Sequence, residues 1–289
     1  RTQAASACSL PSRKSRALID SADPRMIAPN KNWGDATMTA RDELRETGAA
    51  VRRRLGLEDW VGPELAPGFS RLGDEVMFGK LWARPGLALE ERMLATLSAL
   101  TSQQRLPQLA TYVGAALHIG MTPRLIQEVM IHCGMYSGFP TMENSLVVVA
   151  DVLARNNLPI PDVTWDEADL DELDTMGQDT MRDLHAERAD GGYAKPGPQA
   201  AAKLYGTAIQ YLYGEVWNRP DITRRQRMVC SVAAFTAIDA EKQSRKFFRS
   251  ALNVGLTKDE IVEIIMQTGP YSGFPRALNA LVITDEVMD

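Results

Sequence analysis

Two long stretches of this 289-residue chain match each other without a gap. Residues 79–154 and 214–289 lie 135 positions apart and share 25 identities in 76 aligned pairs. Unrelated sequences of ordinary composition would share roughly one pair in fifteen. The five residues YSGFP occur in both stretches, at 136–140 and 271–275. Because a repeat of this length indicates a duplicated structural unit, we expect two copies of one module.

Within each copy, apolar residues recur with the period of an α-helix. Residues 90–103 and 225–238 both have this pattern. In the first stretch the apolar face consists of Met93, Leu94, Leu97 and Leu100. No long stretch alternates with period two, as a half-buried strand would. The sequence therefore predicts an all-α fold.

Start and stop signals predict three more helices in each copy. The second helix is expected over 106–118, because Gly120 follows it. Thr122 precedes Pro123 and predicts the start of a third helix, which ends at the YSGFP turn. The proline of that turn can open a fourth helix, over 141–153 and at the equivalent place in the second copy.

The repeat and its flanks divide the chain into four expected segments. A helical stretch precedes the repeated part in each copy, near 41–55 and 170–188. Two prolines and many acidic residues separate the copies, as in an extended linker. The expected segments are a disordered or processed tail (1–38), helical module 1 (39–156), a linker (157–170) and helical module 2 (171–289).

Composition excludes several classes of partner. The net charge of −5 offers no basic field for a nucleic-acid backbone. No apolar run approaches the roughly 20 residues that span a bilayer. Cys8, Cys133 and Cys230 are too few and too scattered for a disulfide framework or a zinc site, so a reducing cytoplasm is expected. The expected partner is a small-molecule substrate, with no nucleic acid and no membrane.

Several motifs together carry a family resemblance. The first copy contains G-x-x-W-x-R-P-G-L at 79–87, A-L-x-x-G-x-T at 116–122 and Y-x-G-F-P, and the segment GAAVRRRLG at 48–56 precedes them. The second copy keeps G-E-V-W-N-R-P at 214–220. This combination resembles the carboxymuconolactone decarboxylase family. The resemblance implies two helical modules forming an intramolecular pseudo-dimer, no cofactor and a homo-oligomer, either a trimer that rebuilds a ring of six modules or a dimer.

The chain departs from both chemical patterns of that family. The alkylhydroperoxidase-D-like branch carries C-x-x-C-x-x-x-H on the second helix, where this chain has Arg105, Gln108 and Tyr112. A thiol-dependent peroxidase is therefore not expected. The resemblance to the decarboxylase branch implies E-x-x-x-H at the last two of these positions. This chain has Gln108 and Tyr112 there, so the usual acid and base are missing. Tyr112 can still donate a proton to an enolate.

The third helix carries the candidate catalytic residues. Glu128, His132 and Tyr136 are spaced i, i+4 and i+8, so they share one helix face. With Tyr112, they could transfer protons and stabilise an enolate without a metal; the three histidines do not group with carboxylates as metal ligands. The alternative is structural. Glu128 and Glu263 could instead pair with Arg92 and Arg227 and pin helices together.

Other residues are candidates for substrate binding, each with a structural alternative. The indole and guanidinium of the W-x-R-P motif could hold an anionic substrate, or they could pack a helix corner. His118 could instead interact with a helix end. His185 is expected at the surface, and Cys133 is expected to be inert packing. The candidates for substrate binding are Trp82, Arg84, Arg92, Gln108, His118, Trp217, Arg227 and Glu263.

These expectations combine into one functional hypothesis and its competitors. The first is a cofactor-independent lyase or cyclase that transfers protons on an enolisable carboxylated lactone or an aromatic, polyketide-like molecule, as in aromatic compound metabolism. Decarboxylation, dehydration, ring closure and isomerisation all fit it. A non-catalytic ligand-binding or assembly protein is the alternative. A peroxide-reducing protein dependent on Cys133 is a third reading.

Overall fold

All the regular secondary structure of the described residues is helical. A computed structural model describes residues 39–60, 64–162, 167–190 and 200–288, and residues 40–289 form one compact unit. The predicted tail, 1–38, lies outside the described residues, and the predicted module boundaries stay predictions. The helices of the first copy are α1 (Ala40–Arg54), α2 (Phe69–Leu72, continuing as the π-helix Gly73–Trp82), α3 (Leu89–Ser102), α4 (Leu106–His118), α5 (Pro123–Ser137) and α6 (Phe139–Arg155). Those of the second copy are α7 (Leu170–His185), α8 (Ala202–Thr207, continuing as the π-helix Ala208–Glu215), α9 (Arg224–Ile238), α10 (Glu241–Ala251), α11 (Lys258–Ser272) and α12 (Phe274–Met288).

The predicted all-α fold is confirmed, but α3 and α9 are not amphipathic surface helices. They pack against each other at the centre, and every residue from Arg92 to Thr101 is buried. The sequence predicted a single apolar face for α3 because the polar residues Thr96, Ser98 and Thr101 lie between its apolar residues. These side chains are buried too, and Ser98 satisfies its hydroxyl on the carbonyl of Leu94, one turn earlier.

The third helix of each copy packs on the central helix of the other copy. Helix α5 contacts α9, and α11 contacts α3. Each of these helices also packs on the central helix of its own copy, so one face of α5 meets the second copy and one face of α11 meets the first. This arrangement brings the repeated glutamates and arginines together across the interface between copies.

The repeated turns form as their residues predict. Thr122 caps α5 by accepting a hydrogen bond from the backbone N–H of Leu125, and Thr257 caps α11 in the same way. The glycines of the two YSGFP turns, Gly138 and Gly273, have φ of +107° and +94°. Because side chains disfavour such a backbone, glycine suits these positions, and the following helix starts one residue later.

A close helix pair precedes the central helices in each copy. A Cβ at Gly79 on α2 would collide with the carbonyl oxygen of Leu44 on α1, and a Cβ at Gly214 would collide with that of Leu173 on α7. Leu44 and Leu173 are 129 positions apart, whereas the glycines are 135 apart. The segment of chain that joins the two paired helices is therefore six residues longer in the second copy. None of the described helices is long and apolar enough to cross a membrane.

Candidate active site at the interface between the copies

The first of two equivalent sites is built around Glu263 on α11. Arg84 follows α2 and donates hydrogen bonds from Nε and Nη2 to the Glu263 carboxylate, at 2.6 to 2.9 Å. Arg92 on α3 donates from Nη2 to the same carboxylate at 2.8 Å and to the carbonyl of Arg84 at 2.8 Å. One carboxylate from the second copy thus fixes two guanidinium groups of the first. We call this the Glu263 site.

A chain of aromatic hydrogen bonds lies beside the Glu263 site. Trp82 donates from Nε1 to the hydroxyl of Tyr271 at 2.7 Å, and Tyr271 donates to the hydroxyl of Tyr112 at 2.8 Å. The rings of Trp82 and Tyr112 stack at 5.9 Å. On α11, Gln267 accepts from Nη1 of Arg92 at 3.2 Å and so extends the network.

The charge states of the Glu263 site follow from these contacts. Burial would raise the pKa of Glu263, but the hydrogen bonds from Arg84 and Arg92 outweigh it and hold that pKa below its usual value. Burial and the neighbouring Tyr271 raise the pKa of Tyr112, and burial raises the pKa of Tyr271 to about 12. At neutral pH the site holds an ionised carboxylate and two phenols that keep their protons.

The second site is built around Glu128 on α5. Arg219 donates from Nε to the Glu128 carboxylate at 3.0 and 3.1 Å, and Arg227 on α9 donates from Nη2 at 3.1 Å. Arg124, one turn earlier on α5, adds an ion pair at 2.6 Å. Glu128 and Arg227 are fully buried. We call this the Glu128 site.

His132 and Tyr136 also face the second copy. Nε2 of His132 lies 2.8 Å from the hydroxyl of Ser231 on α9. Trp217 donates from Nε1 to the hydroxyl of Tyr136 at 2.9 Å, and its ring centre lies 5.0 Å from that of His132. Burial, followed by the charge of Arg227, lowers the pKa of His132 well below its usual value. The imidazole is therefore neutral.

The structure divides the four candidate catalytic residues between the two sites. Glu128, His132 and Tyr136 lie together, whereas Tyr112 lies in the Glu263 site. The structural alternative anticipated glutamate–arginine pairs, and both glutamates do form them. Each glutamate pairs with arginines of the other copy, Glu263 with Arg92 and Glu128 with Arg227, because α5 and α11 cross to the opposite central helix.

The remaining predicted residues differ in placement. Trp82, Arg84 and Arg92 belong to the Glu263 site, and Trp217 and Arg227 belong to the Glu128 site. Gln108 and His118 on α4 are exposed and outside the hydrogen-bond networks of both sites. The prediction that His185 lies at the surface was wrong. It is fully buried, with Nδ1 2.8 Å from the hydroxyl of Ser250, because the end of α7 packs onto α10.

Cys133 is buried beside Cys230, and both are free thiols. Burial raises the pKa of Cys133, which disfavours the reactive thiolate. This environment matches the expected packing role and gives no support to peroxide reduction through Cys133.

Sequence reasoning missed four residues of the two sites. Tyr271 joins Trp82 to Tyr112, and Gln267 binds Arg92. The repeat held the signal for these two, because they lie 135 positions after Tyr136 and His132. Arg124, which pairs with Glu128, and Ser231, which lies against His132, have no such signal, because their repeat equivalents are Asp259 and Thr96.

Two cavities open beside these sites, one at the repeated arginine corner of each copy. The copy-one cavity, of about 430 Å³, lies between α1 and the start of α3, and its walls include Arg54, Trp82, Arg84 and Arg92. The copy-two cavity, of about 560 Å³, lies beside α7 and α8, and its walls include Arg219. Glu128 and His132 are not wall residues of either cavity.

Fold and site together define an all-helical protein with two tandem modules that share arginine–glutamate sites across their interface. Residues 67–151 and 202–286 both match the carboxymuconolactone decarboxylase family, so the chain belongs to that family. The two matches confirm the tandem duplication.

Characterised and uncharacterised relatives match parts of the chain. It is 35% identical to a 4-carboxymuconolactone decarboxylase of Acinetobacter baylyi, over 27% of this chain and 58% of that protein. It is 38% identical to an uncharacterized 15.0 kDa protein of Paracoccus denitrificans, over 29% of this chain and 63% of that one. It is also 31% identical to a nitrosuccinic acid decarboxylase of Metarhizium robertsii, over 39% of this chain and 85% of that one.

Proposed function

We propose that the protein is a cofactor-independent decarboxylase of a small carboxylated molecule, and that the reaction takes place at the copy-one cavity. Two of the relatives are named as decarboxylases, and the proposal extends that reaction class to this chain. The single observation that carries the location is the cavity wall. Arg84 and Arg92 border an open space of about 430 Å³ while both are held by Glu263.

The arrangement suits a reaction that creates negative charge. In a cofactor-independent decarboxylation, the bond between carbon and carboxylate breaks, CO₂ leaves, and the electron pair moves into a carbonyl or nitro group of the substrate. Fixed guanidinium donors stabilise the resulting enolate-type anion. A proton from water then replaces the lost carboxylate. Glu263 orients Arg84 and Arg92 so that they need not reorganise during the reaction.

The Glu128 site is the alternative location for proton transfer. There Glu128 and His132 would move protons, and Tyr136 would donate to an oxygen of the substrate. The copy-one cavity is favoured over this location because it is accessible. Glu128 and His132 are fully buried, and the carboxylate of Glu128 already accepts bonds from arginines.

The test is an assay of CO₂ release from 4-carboxymuconolactone and from nitrosuccinic acid. We expect Arg84→Gln to lower kcat/KM about 100-fold, as the loss of one fixed donor to a developing anion does. Arg219→Gln, the equivalent change in the second copy, is the matched control and should leave turnover near that of the unaltered protein. If Arg219→Gln and His132→Gln abolish turnover while Arg84→Gln does not, the reaction belongs to the Glu128 site.

A non-catalytic ligand-binding or assembly protein is the second candidate. The observation that favours it is the saturation of both glutamates by arginines, since each carboxylate is held as an ion pair. Binding of the two acids measured by calorimetry, without any CO₂ release, would support this candidate and contradict the decarboxylase.

Other expectations from the sequence also stay proposals. A homo-oligomer, trimer or dimer, is supported by the apolar side chains exposed on equivalent helices. These side chains are Phe139 and Val147 on α6, and Phe274, Leu278 and Val282 on α12. Dehydration, ring closure and isomerisation pass through the same kind of anion, and a cytoplasmic location is proposed with them.

A further inference from the structure

The two cavities meet at the same repeated corner of the two copies, but their walls differ. Arg84 and Pro85 border the copy-one cavity, and their repeat equivalents, Arg219 and Pro220, border the copy-two cavity. Helix α1 lines the first cavity with residues 47–54, whereas α7 lines the second with residues 170–176, which correspond to 41–47 of α1. The cavities thus share the arginine corner and extend from it along different parts of the preceding helix, and the comparison between them is made at that arginine.

The charges of the two walls are opposite. The copy-one cavity has three arginines, Arg54, Arg84 and Arg92, and none of its described wall residues is acidic. The copy-two cavity has three acidic wall residues and one arginine. These residues are Glu167, Asp169, Glu215 and Arg219. An anion is attracted by the first wall and repelled by most of the second.

The two equivalent arginines also differ in availability. The side chain of Arg84 is 40% exposed, whereas that of Arg219 is 9% exposed. Arg219 is shared between the carboxylates of Glu128, at 3.0 Å, and Glu215, at 3.6 Å. Arg84 is therefore accessible to a ligand, whereas Arg219 is covered and bound to two acids of the protein.

One acid of the copy-two wall also differs from its repeat equivalent in the sign of its charge. Glu215 borders the copy-two cavity and pairs with Arg219, whereas its equivalent in the first copy is Lys80. Lys80 does not border the copy-one cavity, so no acid takes the place of Glu215 beside Arg84.

From these observations we infer that the chain has one working anion site and not two. The copy-one cavity binds a carboxylate-bearing small molecule, and the copy-two cavity excludes it, with Glu215 as the residue that determines the exclusion. This inference rests on the proposed function for the class of ligand. It goes further by fixing the stoichiometry at one acid per chain and by naming the specificity-determining residue.

The experiment is a calorimetric titration of the full chain with nitrosuccinic acid and with succinate as an unreactive dicarboxylate probe. We expect one binding event per chain. Arg84→Gln should weaken it at least about 30-fold, as the loss of one partner of a charge pair does, whereas Arg224→Gln, at a similarly exposed side chain that borders neither cavity, should change it less than about threefold. Arg54→Gln, a change at an exposed side chain, should also weaken binding, and it tests the cavity if Arg84→Gln fails to fold.

The variant Glu215→Lys tests the named residue directly, because it restores the residue type of Lys80 and releases Arg219 from one acid. We expect a second, weaker binding event that Arg84→Gln does not remove.

The outcomes separate the inference from the proposed function. Two equal binding events in the unaltered protein, or one event that is lost with Arg219→Gln, would overturn the inference alone. One event that depends on Arg84, without release of CO₂, would keep the inference and overturn the decarboxylase. The absence of any binding of either acid would overturn both.

Discussion

The Glu263 site and the Glu128 site are two versions of one arrangement, and they differ in how they meet solvent. In the Glu263 site, the carboxylate holds Arg84, whose side chain is 40% exposed at the edge of a cavity. In the Glu128 site, the carboxylate is fully buried and binds Arg124, Arg219 and Arg227. The first is open and the second is closed.

This difference indicates how duplication separates two roles that a single module must combine. A buried charge is stable only when it is paired and hydrogen-bonded, so the closed site holds the two copies together through ion pairs. An arginine that binds a substrate must keep part of its surface available. With two copies in one chain, one site can be closed for stability while the other stays open for a ligand.

The largest expected effect comes from removing the closed carboxylate. Glu128→Gln leaves the fully buried Arg227 without its counter-charge, and we expect it to lower the free energy of unfolding by roughly 3–5 kcal/mol. Glu263→Gln should cost less, about 2–3 kcal/mol, since Arg84 can turn toward water and only Arg92 is left buried without its carboxylate. Chemical denaturation of the two variants measures both values.

Arg227→Gln combined with Glu128→Gln is the control for this comparison. Removing both charges of the closed pair should recover part of the stability lost with Glu128→Gln, because the fully buried guanidinium of Arg227 is no longer left without a counter-charge. Equal losses for Glu128→Gln and Glu263→Gln would contradict the distinction between a closed and an open site.

The next effect concerns pH and the histidine found only in the closed site. Burial lowers the pKa of His132, so the unfolded chain takes up a proton below about pH 6.5 that the folded chain does not. The stability contributed by this group is therefore present above pH 6.5 and is lost as the pH falls. The free energy of unfolding is therefore expected to fall between pH 6.5 and pH 5. His132→Gln should remove this part of the acid sensitivity, as measured by urea unfolding at the two pH values.

The same test can be run in reverse at the open site. Gln267 is the equivalent of His132, is fully buried and bonds Arg92. Gln267→His should therefore make unfolding more sensitive to acid. His185 adds a separate contribution of the same sign in all these variants, because burial lowers its pKa to about 3. An unchanged pH dependence in both variants would mean that neither position excludes a proton.

The repeat made much of this architecture predictable, and the limits of that prediction have physical causes. Helix α4 was predicted over the residues that form it, because Gly120 and Thr122 mark the adjoining ends in the local sequence. The partner of each glutamate was not predictable in the same way. It depends on α5 and α11 packing on the opposite copy, which no local pattern encodes. His185 was misplaced for the same reason, since its burial depends on α10.

The smallest expected effect concerns the phenol pair, which exists only in the open site because Phe247 replaces Tyr112 in the second copy. Tyr112→Phe leaves the hydroxyl of Tyr271 without its acceptor, so we expect a loss of about 1 kcal/mol in the free energy of unfolding. A double-mutant cycle with Tyr271→Phe isolates the bond between the hydroxyls and should give a coupling free energy of similar size. A coupling near zero would mean that the phenols are adjacent without stabilising each other, and the open site would then rely on its arginines alone.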